Sequence, residues 1–229
     1  MNARSDKPAV IFDMDGLLLD TEKICLDCFV DTRRAFGLSD SPEVFLKCIG
    51  LRGKKAKSLI FESLGNNVTM EEFSEAWNTA LTTRLKGNIP VKTGVQTLIR
   101  LLDAKNIPMA VATSTDFRHA QDQLGRTGLL PFFKCMVGGD MVHSHKPDPE
   151  IYLRTAKELN CDIRDCFAFE ESDAGARAAF ASGATTVQVP DLTTPSDEVR
   201  NQGHIIASDV VSGAIKAGLI DIRDLTETP

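Results

Sequence analysis

The chain has 229 residues, 42% hydrophobic and 25% charged, which is enough for a sizeable core in one large domain or one domain carrying a smaller insertion. Its formal net charge of -6 argues against non-specific nucleic-acid binding, which needs a basic surface, though it leaves room for a local basic pocket holding one phosphate. No run approaches the ~18 apolar residues of a membrane span, and the opening MNARSDKPAV lacks a signal peptide's apolar segment, so a cytoplasmic location without membrane association is expected. Of the six cysteines, Cys25 and Cys28 form one C-x-x-C, but it has no second pair at zinc-finger spacing and lies in an apolar-periodic stretch. Reduced, packed thiols are therefore expected.

Taken in chain order, Ala9 to Phe12 is a continuous apolar run that predicts a buried strand ending at acidic residues and Gly16. From about Glu22 to Leu85 the apolar spacing is helical, with breaks at Gly37, Gly50 and Gly65. Beyond Asn88 the pattern alternates. Strands are predicted at Pro108 to Ala112, Phe133 to Val137, Cys166 to Phe169, Thr185 to Val189 and Ile205 to Ala207. Helices are predicted over Val95 to Ala104, Phe117 to Arg126, from near Pro149 with Asp148 as cap, over Ala174 to Ser182, and after a cap at Ser208. Strands alternating with helices imply a parallel sheet covered on both faces, and the helical block is then an insertion above it. The expected organisation is a core of residues 1–20 and 89–229 with a helical cap over 21–88.

In such sheets chemistry gathers at the carboxyl ends of the strands, where Asp13, Asp15, Thr113 and Glu170-Glu171 all fall. Asp13 and Asp15 are two apart in an extended segment and face the same side. Paired carboxylates repel unless a cation or a shared proton offsets them, so a metal site with an acid–base group and a solvated or calcium-like turn both fit. Lys146 follows a turn-like stretch and either enters the strand-end crevice or lies on the surface. Thr113 and Ser114 could donate to phosphoryl oxygens or cap a helix. No histidine sits at a zinc spacing.

The stretch FDMDGLLLDTE resembles the opening motif of the haloacid dehalogenase superfamily, and VATST, HKPDPEIYLRTAKEL and FAFEESDAGARAA resemble its remaining motifs in order. The resemblance covers almost the whole chain and points to the helical-cap branch of beta-phosphoglucomutase and of sugar-phosphate, nucleotide and pseudouridine-phosphate phosphatases. It implies an α/β fold, a three-layer Rossmann-like parallel sheet core with an inserted helical cap. It implies Asp13 as nucleophile, Asp15 as general acid and base, Thr113 on the phosphoryl group and Lys146 offsetting charge. Mg2+ would be held by Asp13, the backbone carbonyl of Asp15, Glu170 and Glu171.

Two departures stand out. The branch usually has Glu-Asp at Glu170-Glu171, so a longer second side chain is expected to weaken magnesium binding. A proline is usual where Thr93 stands, which bears on the hinge. The densest basic cluster is Arg52, Lys54, Lys55 and Lys57, and Arg52 matches a cap arginine of beta-phosphoglucomutase that reaches the ligand. That mutase's cap histidine and its phosphate-binding lysine beside the second motif are replaced by Cys25 and by Asp116, the latter a candidate substrate contact. A monomeric, magnesium-dependent phosphatase of a small phosphorylated metabolite is therefore expected, ahead of a mutase or of a non-catalytic binding or regulatory protein.

Overall fold

A four-residue apolar strand without alternation is stable only with both faces covered. In the computed structural model, which describes residues 8–49 and 54–226, β1 (Ala9–Phe12) is fully buried. The chain then runs through α1 (Thr21–Ala35), α2 (Pro42–Cys48), α3 (Lys54–Glu62) and α4 (Met70–Leu85). It continues as α5 (Val95–Ala104), β2 (Met109–Ala112), α6 (Phe117–Arg126), β3 (Cys135–Val137), α7 (Glu150–Glu158) and β4 (Cys166–Glu170). The last elements are α8 (Asp173–Ser182), β5 (Thr185–Gln188), α9 (Asp197–Arg200), β6 (Ile205–Ile206) and α10 (Val210–Lys216). Two compact units result, one of residues 1–19 and 91–229, the other Asp20–Pro90.

The first unit is a parallel six-stranded sheet in the order β3-β2-β1-β4-β5-β6. The chain builds outward from β1 to one side, then crosses to β4 and builds outward to the other. The switch between β1 and β4 opens the crevice in which such sheets bind ligands. Strand alternation sorts the core into two layers. Ala9, Ile11 and Ala168 pack with Tyr152 and Ala156 of α7 and with Ala178 and Ala179 of α8. On the opposite face, Phe12 stacks on Phe169 at 5.2 Å, and Gly213 of α10 lies so close that a Cβ there would meet Val187 at 2.6 Å. Helices thus cover both faces.

The helical unit is held by aromatic packing between α1 and α4. Phe29 meets Phe73 at 5.6 Å and Trp77 at 5.3 Å, and Phe45 of α2 closes on Trp77 at 6.0 Å. Arg33 is buried at 2% exposure, and each of its three guanidinium nitrogens has a partner: Nε donates to Ser39 O, Nη1 to Ser63 Oγ at 2.8 Å and Nη2 to Ser63 O. A capping box between Thr69 and Glu72 starts α4. A cleft of about 530 Å³ within this unit is lined in part by Cys25, Phe45, Ile60 and Trp77. None of the six cysteines is in a disulfide, including Cys25 and Cys28 on α1. Among the described residues, no helix is long and apolar enough to cross a membrane.

Two caps differ from their sequence reading. The closing helix α10 is capped by Asp209, whose carboxylate accepts from Ser212 N at 2.8 Å, while Ser208 donates its hydroxyl to Asp209. Pro149 occupies the cap position of α7, although Asp148 Oδ1 still accepts from Glu150 N at 2.9 Å.

Candidate active site

Asp13 follows β1 directly, and its N–H donates to Phe169 O of β4 at 2.9 Å, so the sheet ladder continues one residue past the strand. Phe12 and Phe169 are register partners, which puts Asp13 level with Glu170. Both continue the face that carries Ile11 and Ala168, toward α7. The backbone alone therefore aims two carboxylates at one point.

Lys146 meets them there. Its ammonium donates to Asp13 Oδ1 at 2.6 Å, to Glu170 Oε1 at 2.5 Å and to Ala112 O at 3.1 Å, using all three N–H groups. Glu150 holds the loop that delivers it, accepting from His143 N at 2.9 Å and Ser144 N at 2.7 Å. The Lys146–Pro147 peptide is cis. Glu170 Oε1 also accepts from the Tyr152 hydroxyl at 2.5 Å, and Oε2 accepts from Glu171 N and Ser172 Oγ. Glycine at 175 is required by this closeness, since a Cβ there would lie 1.9 Å from the Glu170 carboxyl.

Glu171 completes the cluster. One carboxylate oxygen from each of Asp13, Glu170 and Glu171 lies within 4.8 Å of the others. Glu171 is half-buried as a residue, yet its Oε2 is sealed from solvent without a hydrogen-bond partner. Burial pushes Asp13 up to about 7, partly offset by Lys146 and reinforced by Glu170 and Asp15. Burial, then Asp13 and Glu170, push Glu171 well above the carboxylate range. For Lys146 burial works against the charge, but Asp13 and Glu170 outweigh it and the ammonium is held above the ordinary lysine range. Three carboxylates against one ammonium leave two negative charges when all are ionised. An uncompensated buried pair of charges is costly, and the orphaned Glu171 oxygen has no protein donor, so the donor set fits a hard divalent cation.

Asp15 is not one of the three clustered carboxylates. Its Oδ2 accepts from Thr113 Oγ1 at 3.2 Å and from Thr115 Oγ1 at 2.8 Å, and Thr115 N donates back to Thr113 Oγ1. Thr113 is fully buried beyond β2, with its N–H on Val137 O. Among the sequence-identified residues, Asp13, Lys146, Glu170 and Glu171 are thus brought together, and Asp15 with Thr113 forms a second group. Ser114 is half-buried and Asp116 is exposed at the start of α6; among the described residues, no hydrogen bond or ion pair joins either to the cluster. Arg52 lies outside the described residues. Asp173 accepts from Gln188 Nε2 and Ser196 N, a structural tie rather than a ligand position. Tyr152, Thr115 and Glu150 were not singled out from sequence. Tyr152 looks like a core aromatic on a helix, and only the repeated hydroxyls of VATST hinted at Thr115.

Residues 10–189 match the family described as haloacid dehalogenase-like hydrolase. A phosphorylated carbohydrates phosphatase of Thermotoga maritima is 31% identical over 175 residues, covering 76% of this chain and 81% of that protein. A Saccharomyces cerevisiae protein named "Probable pseudouridine-5'-phosphatase" is 34% identical over 196 residues, covering 80% and 82%. A solved HAD family hydrolase from Deinococcus radiodurans, with bound phosphate and sodium, shares the fold with a TM-score of 0.80 at 22% identity, covering 94% of this chain and 98% of that one.

Proposed function

The chain belongs to the haloacid dehalogenase-like hydrolase family and acts as a phosphatase on a small phosphorylated compound, and we propose that it does so through an aspartyl-phosphate at Asp13 with magnesium as cofactor. The observation that supports this best is the cluster of Asp13, Glu170 and Glu171, whose negative charge Lys146 offsets only in part. Magnesium bound by these carboxylates and the Asp15 carbonyl would supply positive charge against the phosphate. Lys146 lowers the cost of ionising Asp13 and, together with the cation, would favour its anion. The Asp13 carboxylate attacks phosphorus, the ester P–O bond breaks, and Asp15 gives the leaving oxygen its proton. Water then attacks the phosphorus of the aspartyl-phosphate, Asp15 takes that water's proton, and Asp13 is released with inorganic phosphate. Ser114 would supply a hydroxyl for the phosphoryl oxygens, and Thr113 would do so by turning its hydroxyl away from Asp15.

For substrate we propose a sugar phosphate or a nucleotide-like monophosphate. Relatives named for phosphorylated carbohydrates and for pseudouridine 5'-phosphate support both. The helical unit, residues 21–88 in the sequence reading, is proposed to act as the selecting cap, with Arg52 and Asp116 as substrate contacts and a monomer as the working form. Hydrolysis is favoured over a mutase because Cys25 and Asp116 stand where beta-phosphoglucomutase has its histidine and lysine. The test is phosphate release from a broad panel of phosphorylated metabolites, with magnesium or with chelator. The expected result is magnesium-dependent release from a small set of monoesters that disappears in Asp13→Asn. Release that persists in Asp13→Asn would remove the proposal.

A further inference from the structure

Tyr152 is the chain's only tyrosine, and it is fully buried on α7. Phenylalanine would fill the same space without bringing a hydroxyl into the core, where it must find a partner. Here the hydroxyl donates to Glu170 Oε1 at 2.5 Å, the same oxygen that receives Lys146 at 2.5 Å. The ring also lies beneath the Lys146 ammonium, 5.3 Å from nitrogen to centroid. Glu170 is thereby fixed at both oxygens, Oε1 by Tyr152 and Lys146, Oε2 by Glu171 N and Ser172 Oγ. Lys146 has no spare donor, so any movement of Glu170 toward or away from it changes how the ammonium sits on Asp13.

We infer that Tyr152 is a positioning residue: by clamping Glu170 Oε1 and underlying the ammonium, it sets Lys146 against Asp13. The inference rests on the proposed role of Asp13 as nucleophile for its catalytic consequence, but the clamp can be read without turnover. Tyr152→Phe keeps the ring and removes only the clamp. It is expected to lower kcat about tenfold, the scale of one hydrogen bond to a charged group, with KM and calorimetric Mg2+ affinity within about twofold of the parent. A kcat within about twofold of the parent would overturn the inference. So would a fall in kcat accounted for by loss of folded protein at the assay temperature, because that is the mark of a packing role.

The second readout needs no substrate. Tyrosine labelled with 13C at Cζ gives a single resonance whose position reports the phenol's hydrogen bond. Glu170→Gln is expected to shift it, and Glu171→Gln to leave it in place. An unmoved signal in Glu170→Gln would overturn the clamp even if the enzyme is fully active. Loss of all phosphatase activity in the parent would instead count against the nucleophile assignment and leave this result standing.

Discussion

Removing the charge of Asp13 should stabilise the metal-free protein, and the effect should depend on pH. Burial holds this carboxyl at about 7, against an ordinary value of 3.8. The folded form therefore keeps its proton more tightly than the unfolded chain does. Between those two values the unfolded state releases a proton that the native state retains, so stability falls as pH rises from about 4 to about 7. At about 1.4 kcal/mol per pH unit, the full window is worth about 4 kcal/mol. Only 4% of Asp13 is exposed, so solvent screening offers little relief. Glu171 is shifted the same way and adds to the slope, while Lys146 is shifted upward and titrates far above this window. Asp13→Asn keeps the shape and abolishes the ionisation. Urea denaturation in chelator, repeated across this pH range, should show the parent losing stability and Asp13→Asn losing markedly less. Near pH 8 the variant should be more stable by up to about 4 kcal/mol, and saturating magnesium should narrow the gap by stabilising the parent. Parallel stability curves for the two proteins in chelator would refute the reasoning, because they would mean that Asp13 is ionised in the fold without strain.

Gly175→Ala should cost about 1–3 kcal/mol in urea denaturation, because the new Cβ would lie 1.9 Å from the Glu170 carboxyl. Glu171→Asp should lower the half-saturating magnesium concentration in phosphate release, since a shorter acid suits octahedral geometry near ~2.1 Å better; equal values in the two proteins would mean that the pocket already accommodates glutamate. Asp15→Asn can keep its contacts with Thr113 and Thr115, so its expected fall in turnover of about 10²–10⁴-fold should come with little change in stability.

Much of the core was legible because buried parallel strands are written as continuous apolar runs. Ala9 to Phe12 and Met109 to Ala112 are short enough to favour strands over helices, and the polar residue after each marks the sheet's carboxyl edge. That edge yielded Asp13, Thr113 and Glu170 together. What escaped was set by partners distant in sequence. Tyr152 lies in a buried helical stripe with Ile151, Thr155 and Ala156, a pattern that signals packing and conceals the hydroxyl's bond to Glu170. Arg33 beside Arg34 looks like a solvated basic face, but Ser39 and Ser63 satisfy its guanidinium in the interior. Ser208 and Asp209 are both good caps on propensity, and only the backbone geometry selects Asp209.

The phosphoryl carrier can be identified directly. A substrate found in the metabolite panel is mixed with enzyme and magnesium, quenched in acid within the first turnover, and reduced with borohydride, which converts an acyl phosphate on aspartate to homoserine. Peptide mass spectrometry should then find homoserine at position 13, absent when magnesium is omitted and absent in Asp13→Asn. Full turnover with residue 13 recovered only as aspartate, and the modification on another residue, would contradict the assignment of Asp13 as nucleophile.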